Sequence, residues 1–65
     1  MEKAQKIKTA SYAIMKGMDY ETLMYSDEMY GHEEETDEVW EYVDECKQIG
    51  EIAFKEKYSE YKLYI

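Results

Sequence analysis

The 65-residue chain contains no arginine and no proline, one cysteine, one histidine and three glycines. Cys46 alone cannot form an internal disulfide, so no covalent staple holds the fold, and a reducing compartment suits it. His32 has no Cys or second His at ligand spacing, so no metal site is expected. Without arginine the chain lacks the usual bidentate reader of phosphate and of guanine. No stretch approaches the roughly 20 apolar residues of a membrane span. The opening "MEKAQKIK" has no apolar run of the secretory type. A cytoplasmic protein without a cofactor is the expectation.

Carboxylate is what the chain has in excess. The net charge is −8, and it is unevenly spread. Positions 1–16 hold four Lys against one Glu, and positions 47–65 hold four Lys against three Glu. Between them, positions 17–46 hold twelve acids and no Lys or Arg. Direct binding to nucleic acid or to an anionic membrane through this block would work against Coulomb repulsion. The favoured partner is basic.

The chain is nevertheless 45% apolar with eight tyrosines, too rich for a disordered acidic tail. A single small domain over residues 1–65 is expected. A chain of this size buries only about 60% of the surface its unfolded form exposes, so a homodimer or a bound partner is a natural further source of stability.

Hydrophobic periodicity predicts an all-α fold, a three-helix domain with a long C-terminal amphipathic helix. In the first helix Ala4, Ile7, Ala10, Ser11, Ile14 and Met15 share a face, and Gly17 closes it. A second helix starts at an Asp19 N-cap and runs to about Tyr30, with Gly31 as its stop. "GHEEE" (31–35) reads as a solvated loop, since adjacent like charges repel. The third helix starts at a Thr36 cap and runs to about Lys57. Val39, Val43, Cys46, Gly50 and Ala53, with Ile49 and Ile52, form its apolar arc. Gly50 weakens that helix by roughly 1 kcal/mol against Ala and allows a bend. In the tail, Tyr61, Leu63 and Ile65 alternate as in a strand, but no second strand is there to pair with it.

The candidate binding site follows from charge and aromatic placement. Asp37, Glu38, Glu41, Asp44 and Glu45 step along one face of the third helix, roughly 5–6 Å apart at 1.5 Å per residue. Glu33, Glu34 and Glu35 extend that charge, and the acids 19, 21, 27 and 28 stand behind it. Duplex DNA carries one charge per about 1.7 Å of axis, and paired acids on successive turns approach that density. The ordinary reading of a charge run is a solvated face that aids solubility. Such faces, however, usually mix signs to gain i,i+4 pairs, and this one does not. Trp40 lies at the edge of the apolar arc beside the acids, with Phe54 and Tyr58, and is a candidate partner contact. Tyr12 and Tyr25 also fall off the core stripes. Cys46 reads as a small buried hydrophobe. Paired carboxylates act as acid and base only in a cleft, which a domain this small scarcely offers, so an enzyme is not expected.

Residues 16–43 loosely resemble a helix-turn-helix, with "GMDYE", a glycine at the turn and "ETDEV" opening the next helix. The helix that would face DNA carries acids instead of bases and amides. The chain as a whole resembles the small acidic host-takeover proteins of bacteriophages, several of which mimic DNA. That resemblance rests on length, the base-free block 17–46, the absence of Arg and the Tyr/Trp interleaving. It implies a non-enzymatic inhibitor in the host cytoplasm whose partner is a basic bacterial DNA-binding protein. The alternative is a helical regulatory or adaptor module that binds through its aromatic edge.

Overall fold

The computed structural model describes residues 1–65 as an all-α chain without strands. Four α-helices form: α1 (Lys3–Lys16), α2 (Tyr20–Met24), α3 (Thr36–Ile49) and α4 (Glu51–Lys57). Two single 3₁₀ turns, Asp27–Met29 and Glu33–Glu35, lie between α2 and α3. The Cα radius of gyration is 10.7 Å, matching the value of about 10.7 Å that size scaling gives a compact chain of this length. No helix is long and apolar enough to cross a membrane.

α1 ends where its sequence predicts. Gly17 adopts φ +69°, a left-handed conformation that costs glycine little. Its N–H reaches the Ile14 carbonyl at 3.2 Å and the Met18 N–H reaches Ala13 at 2.9 Å, satisfying the last carbonyls. α1 buries Ile7, Thr9, Ala10, Ser11 and Ala13, while Met15 is exposed, contrary to the expected stripe. The stripe is wider because α1 is covered from two directions. α3 packs along it, and the C-terminal tail crosses it at Ser11, whose hydroxyl donates to the Lys8 carbonyl and accepts the Tyr64 N–H at 3.0 Å.

The second helix is shorter than expected. Asp19 caps α2 by accepting the Thr22 N–H at 2.7 Å, but the helix stops at Met24 rather than Tyr30. Ser26 then adopts an extended backbone, and its hydroxyl turns back to donate to the Leu23 carbonyl at 2.7 Å. A serine that satisfies the preceding turn with its own side chain competes with helix continuation. The chain restarts as the turn Asp27–Met29, which drives Met29 into the core.

The third helix is two helices. Gly50 sits at φ +91°, ψ 158°, a region essentially reserved for glycine, and the helical path breaks there. Its N–H closes α3 on Cys46 at 2.8 Å and its carbonyl opens α4 by accepting the Phe54 N–H at 3.0 Å. The corner resets the helical phase. Phe54 and Tyr58, expected at the acidic edge, are buried, whereas Ile49, Ile52 and Ala53, expected in the apolar arc, are exposed. Thr36 is the first residue of α3 rather than its cap, and its hydroxyl donates to the Glu33 carbonyl at 2.7 Å. Glu33–Glu35 form a 3₁₀ turn instead of an open loop. The tail forms no strand; Leu63 and Ile65 pack against the core without regular secondary structure.

The core has two parts. One joins Ala10, Ala13, Leu23, Met29, Val39 and Val43; the other joins Ile7, Cys46, Phe54 and Tyr58. Ile14 and Tyr42 touch both and make them continuous. Every buried side-chain polar atom has a hydrogen-bond partner.

Candidate acidic interface

α3 is the frame on which most of the predicted site residues sit, and its buried residues, Val39, Val43 and Cys46, fix which way the acids face. Those three recur every three or four residues and pin one face against α1 and α4. Asp37, Glu38, Glu41 and Asp44 are thereby turned to solvent, together with Glu33 and Glu34 in the preceding turn. Glu35 and Glu45 are only partly exposed.

The base-free block does not remain unpaired in space. Lys6 of α1 binds Glu38 and lies 4.0 Å from Glu35. The α-ammonium of Met1 donates to Glu35 at 2.6 Å, and His32 Nδ1 lies 3.0 Å from the other Glu35 oxygen. Lys57 of α4 binds Glu45, which also accepts the Tyr58 hydroxyl at 2.6 Å. These contacts shift protonation. The α-ammonium hydrogen bond holds the Glu35 carboxyl below the usual range, and Lys57 followed by Tyr58 does the same for Glu45. Conversely, Glu38 raises Lys6 and Glu45 raises Lys57.

The nine predicted positions therefore divide. Glu35, Glu38 and Glu45 are held by cations from the two ends of the chain. Glu33, Glu34, Asp37, Glu41 and Asp44 have no cationic partner within 4.0 Å. Asp37 accepts the Tyr20 hydroxyl at 2.5 Å, a neutral donor that leaves its charge in place. Trp40 is half-buried against the core, with the Tyr20 ring edge-on at 5.8 Å and Lys47 Nζ 4.8 Å from its centroid. Its ring is an internal joint between α2 and α3 more than an open aromatic edge.

A second acidic surface lies at the other end of the block. The C-terminal half of α1, α2 and the turn Asp27–Met29 border an open groove of about 620 Å³. Tyr12 and Tyr25 line it with Asp19, Glu21, Asp27 and Glu28. The groove exists because the chain breaks at Ser26 and folds back; a helix running to Tyr30 would have hidden it from a periodicity argument. Its sequence signal is "SDE" at 26–28, a helix-start signature inside a supposed helix.

Cys46 is buried, and burial, then the Glu51 and Glu45 charges, push its thiol pKa up, which keeps it an unreactive thiol. No three His, Cys, Asp or Glu side chains converge closely enough to hold a metal ion. The α2-to-α3 connection runs over residues 25–35, where a helix-turn-helix uses a turn of about three or four residues. Comparison with protein-family models, with curated proteins and with solved structures finds no match to this chain.

Proposed function

We propose that the chain is a non-catalytic binding protein whose acidic face occupies the DNA-binding surface of a basic bacterial protein and competes with nucleic acid there. The observation that carries this reading is the row of unpaired carboxylates on the solvent side of α3. Asp37, Glu41 and Asp44 have no cation of the chain's own, and Glu33 and Glu34 continue the charge. Asp37, Glu41 and Asp44 are spaced along the axis by roughly 4–6 Å at 1.5 Å per residue, and they stand in for phosphates.

Asp37, Glu41 and Asp44 sit on a helix packed against α1 and α4, with Lys6 and Lys57 paired to Glu38 and Glu45 beside them, so the backbone under the free acids is already folded before binding. Dense charge of one sign also steers a basic partner and makes association fast and salt-dependent. The class resemblance to phage host-takeover proteins gives the setting, the cytoplasm of a bacterial host. The candidate targets are nucleoid, repair, replication, transcription or defence proteins.

The immobilised protein, exposed to bacterial lysate, is expected to retain DNA-binding proteins that duplex DNA then displaces. Retention of no DNA-binding protein, or failure of DNA to release those retained, overturns the reading.

A further inference from the structure

Part of the core is covered by chain that belongs to no helix. Residues 59–65 lie beyond α4 in turns and irregular backbone. Tyr61, Leu63 and Ile65 alternate inward and pack against the smaller part of the core, formed by Ile7, Cys46, Phe54 and Tyr58. All three stay partly exposed, and Ser59, Glu60, Lys62 and Tyr64 face solvent. Backbone hydrogen bonding is sparse here. Tyr61 N–H reaches the Tyr58 carbonyl at 3.0 Å, and Tyr64 N–H reaches Ser11 Oγ at 3.0 Å. The second is the segment's single hydrogen bond to the rest of the protein.

That anchor is cheap to release. Ser11 is wholly buried in α1, and its hydroxyl also donates to the Lys8 carbonyl at 2.7 Å. The bond to Lys8 survives when the segment leaves, so no polar side chain in the seat is stranded without a partner. A segment with one anchoring hydrogen bond and no fully buried side chain opens at a lower free energy than the helices it covers. Its root, moreover, bears on the acidic face. Tyr58, the last residue before it, donates its hydroxyl to Glu45 at 2.6 Å, and the Tyr61 ring lies 6.3 Å from the Tyr58 ring. Glu45 is one of the three carboxylates held by the chain's own cations and so withdrawn from the free row on α3.

We propose that residues 59–65 act as a detachable strap: they lift off α1 as a unit while the four helices stay folded, and their release loosens Tyr58 from Glu45. Lifting leaves Glu45 to Lys57 alone, an exposed ion pair that a basic partner opens readily. The strap thereby regulates how much charge α3 presents. That regulatory use rests on the α3 row being the binding face; the lifting does not.

Native-state hydrogen exchange of the ¹⁵N-labelled full chain tests the lifting. The Val43 amide, in the middle of α3, exchanges through global unfolding and is expected to lose protection steeply in non-denaturing urea. The Tyr64 amide is expected to be about a hundredfold or more less protected and nearly indifferent to urea. Val39→Ala speeds exchange at Val43 about tenfold or more and leaves Tyr64 unchanged. A Tyr64 amide that follows Val43 in urea overturns the strap.

Leu63→Asp with Ile65→Asp places charge where the strap meets the core and is expected to release it with the helical circular dichroism retained. The Glu45 carboxyl, followed by ¹³C-detected pH titration, then moves up toward the ordinary carboxylate value as the Tyr58 hydrogen bond is lost. Collapse of the helical signal overturns the independence of the strap. A Glu45 titration unchanged from wild type overturns its link to the acidic face, while the α3 reading itself stands or falls with the lysate capture.

Discussion

Two acidic stretches of this chain, neither containing a Lys or Arg, differ in what meets them. Residues 33–45 form a 3₁₀ turn and most of α3, which packs against α1 and α4, and three of their carboxylates receive a cation from the chain start, α1 or α4. Residues 19–28 form a short helix and a turn at the margin of the fold, and their carboxylates receive none. Paired acids act as fasteners. Unpaired acids keep their charge available, and their mutual repulsion is a cost that a basic partner relieves. Charge density in the sequence therefore overstates the free charge along α3 and describes it fairly around the groove.

The harshest way to break the contrast is to unseat α4, which carries Lys57 and Tyr58 to Glu45. Phe54→Ala is expected to destabilise the fold by about 3–5 kcal/mol, a large share of what a domain of this size has. Urea unfolding measures it, and a loss below about 1 kcal/mol would mean that α4 is not part of the core.

Reversing the free charge comes next. Glu41→Lys with Asp44→Lys is expected to weaken binding to a captured basic partner by on the order of tenfold or more, with the unfolding midpoint held or raised. Equal binding by wild type and variant would place the interface elsewhere. Trp40→Ala separates the aromatic-adaptor alternative, since under the acidic-face reading its effect falls on stability, through the lost Tyr20 and core contacts, before it falls on binding.

A milder change tests the fastener itself. Tyr58→Phe removes the hydroxyl that Glu45 accepts while keeping the ring, and about 1 kcal/mol of stability is expected to go with it. An unchanged urea midpoint would show that Lys57 alone satisfies Glu45.

The smallest effect is in pH, and its sign follows from linkage. Glu35 and Glu45 have folded-state pKa values held below the ordinary 4.5, so the unfolded chain takes up protons first on acidification. Their contribution is complete above that ordinary value and is lost as pH falls through the lowered ones. Glu35→Gln with Glu45→Gln is therefore expected to flatten the fall in urea midpoint between neutral pH and pH 3, whereas Glu21→Gln with Glu28→Gln leaves that acid limb in place. On the alkaline side Lys6 and Lys57 are raised, so their contribution holds up to the ordinary 10.5 and fades only above it. Identical acid limbs for the two double variants would erase the distinction between paired and unpaired acids.

Periodicity read the end of α1 correctly because what ends it, Lys16 and Gly17, is local, though it placed the exposed Met15 on the buried stripe. It read Val39, Val43 and Cys46 as the buried face of α3 for the same reason. It failed at Ser26 and Gly50, where one residue's backbone choice outweighs a surrounding pattern that still looks helical. Gly50 was visible as a weak point, but the size of the turn depends on its positive φ and on Phe54 finding a place beside Ile7 and Tyr58. Of the nine candidate site residues, the sequence showed the type and the face but not the pairing. Trp40 stood at a boundary that Tyr20, 20 positions earlier, resolves by packing edge-on.

The amino-acid sequence by itself determined the all-α character, the first helix with its glycine stop, the absence of a membrane-spanning helix and the concentration of negative charge between two basic ends. Those properties are sums or short-range periodicities, and they survive any tertiary arrangement. The tertiary structure decided which carboxylates are free. Lys6 meets Glu38 across 32 positions and Lys57 meets Glu45 across 12, and no local pattern encodes such meetings. They depend on how α1 and α4 pack on α3, because an ion pair forms where folding places two charges a few ångströms apart.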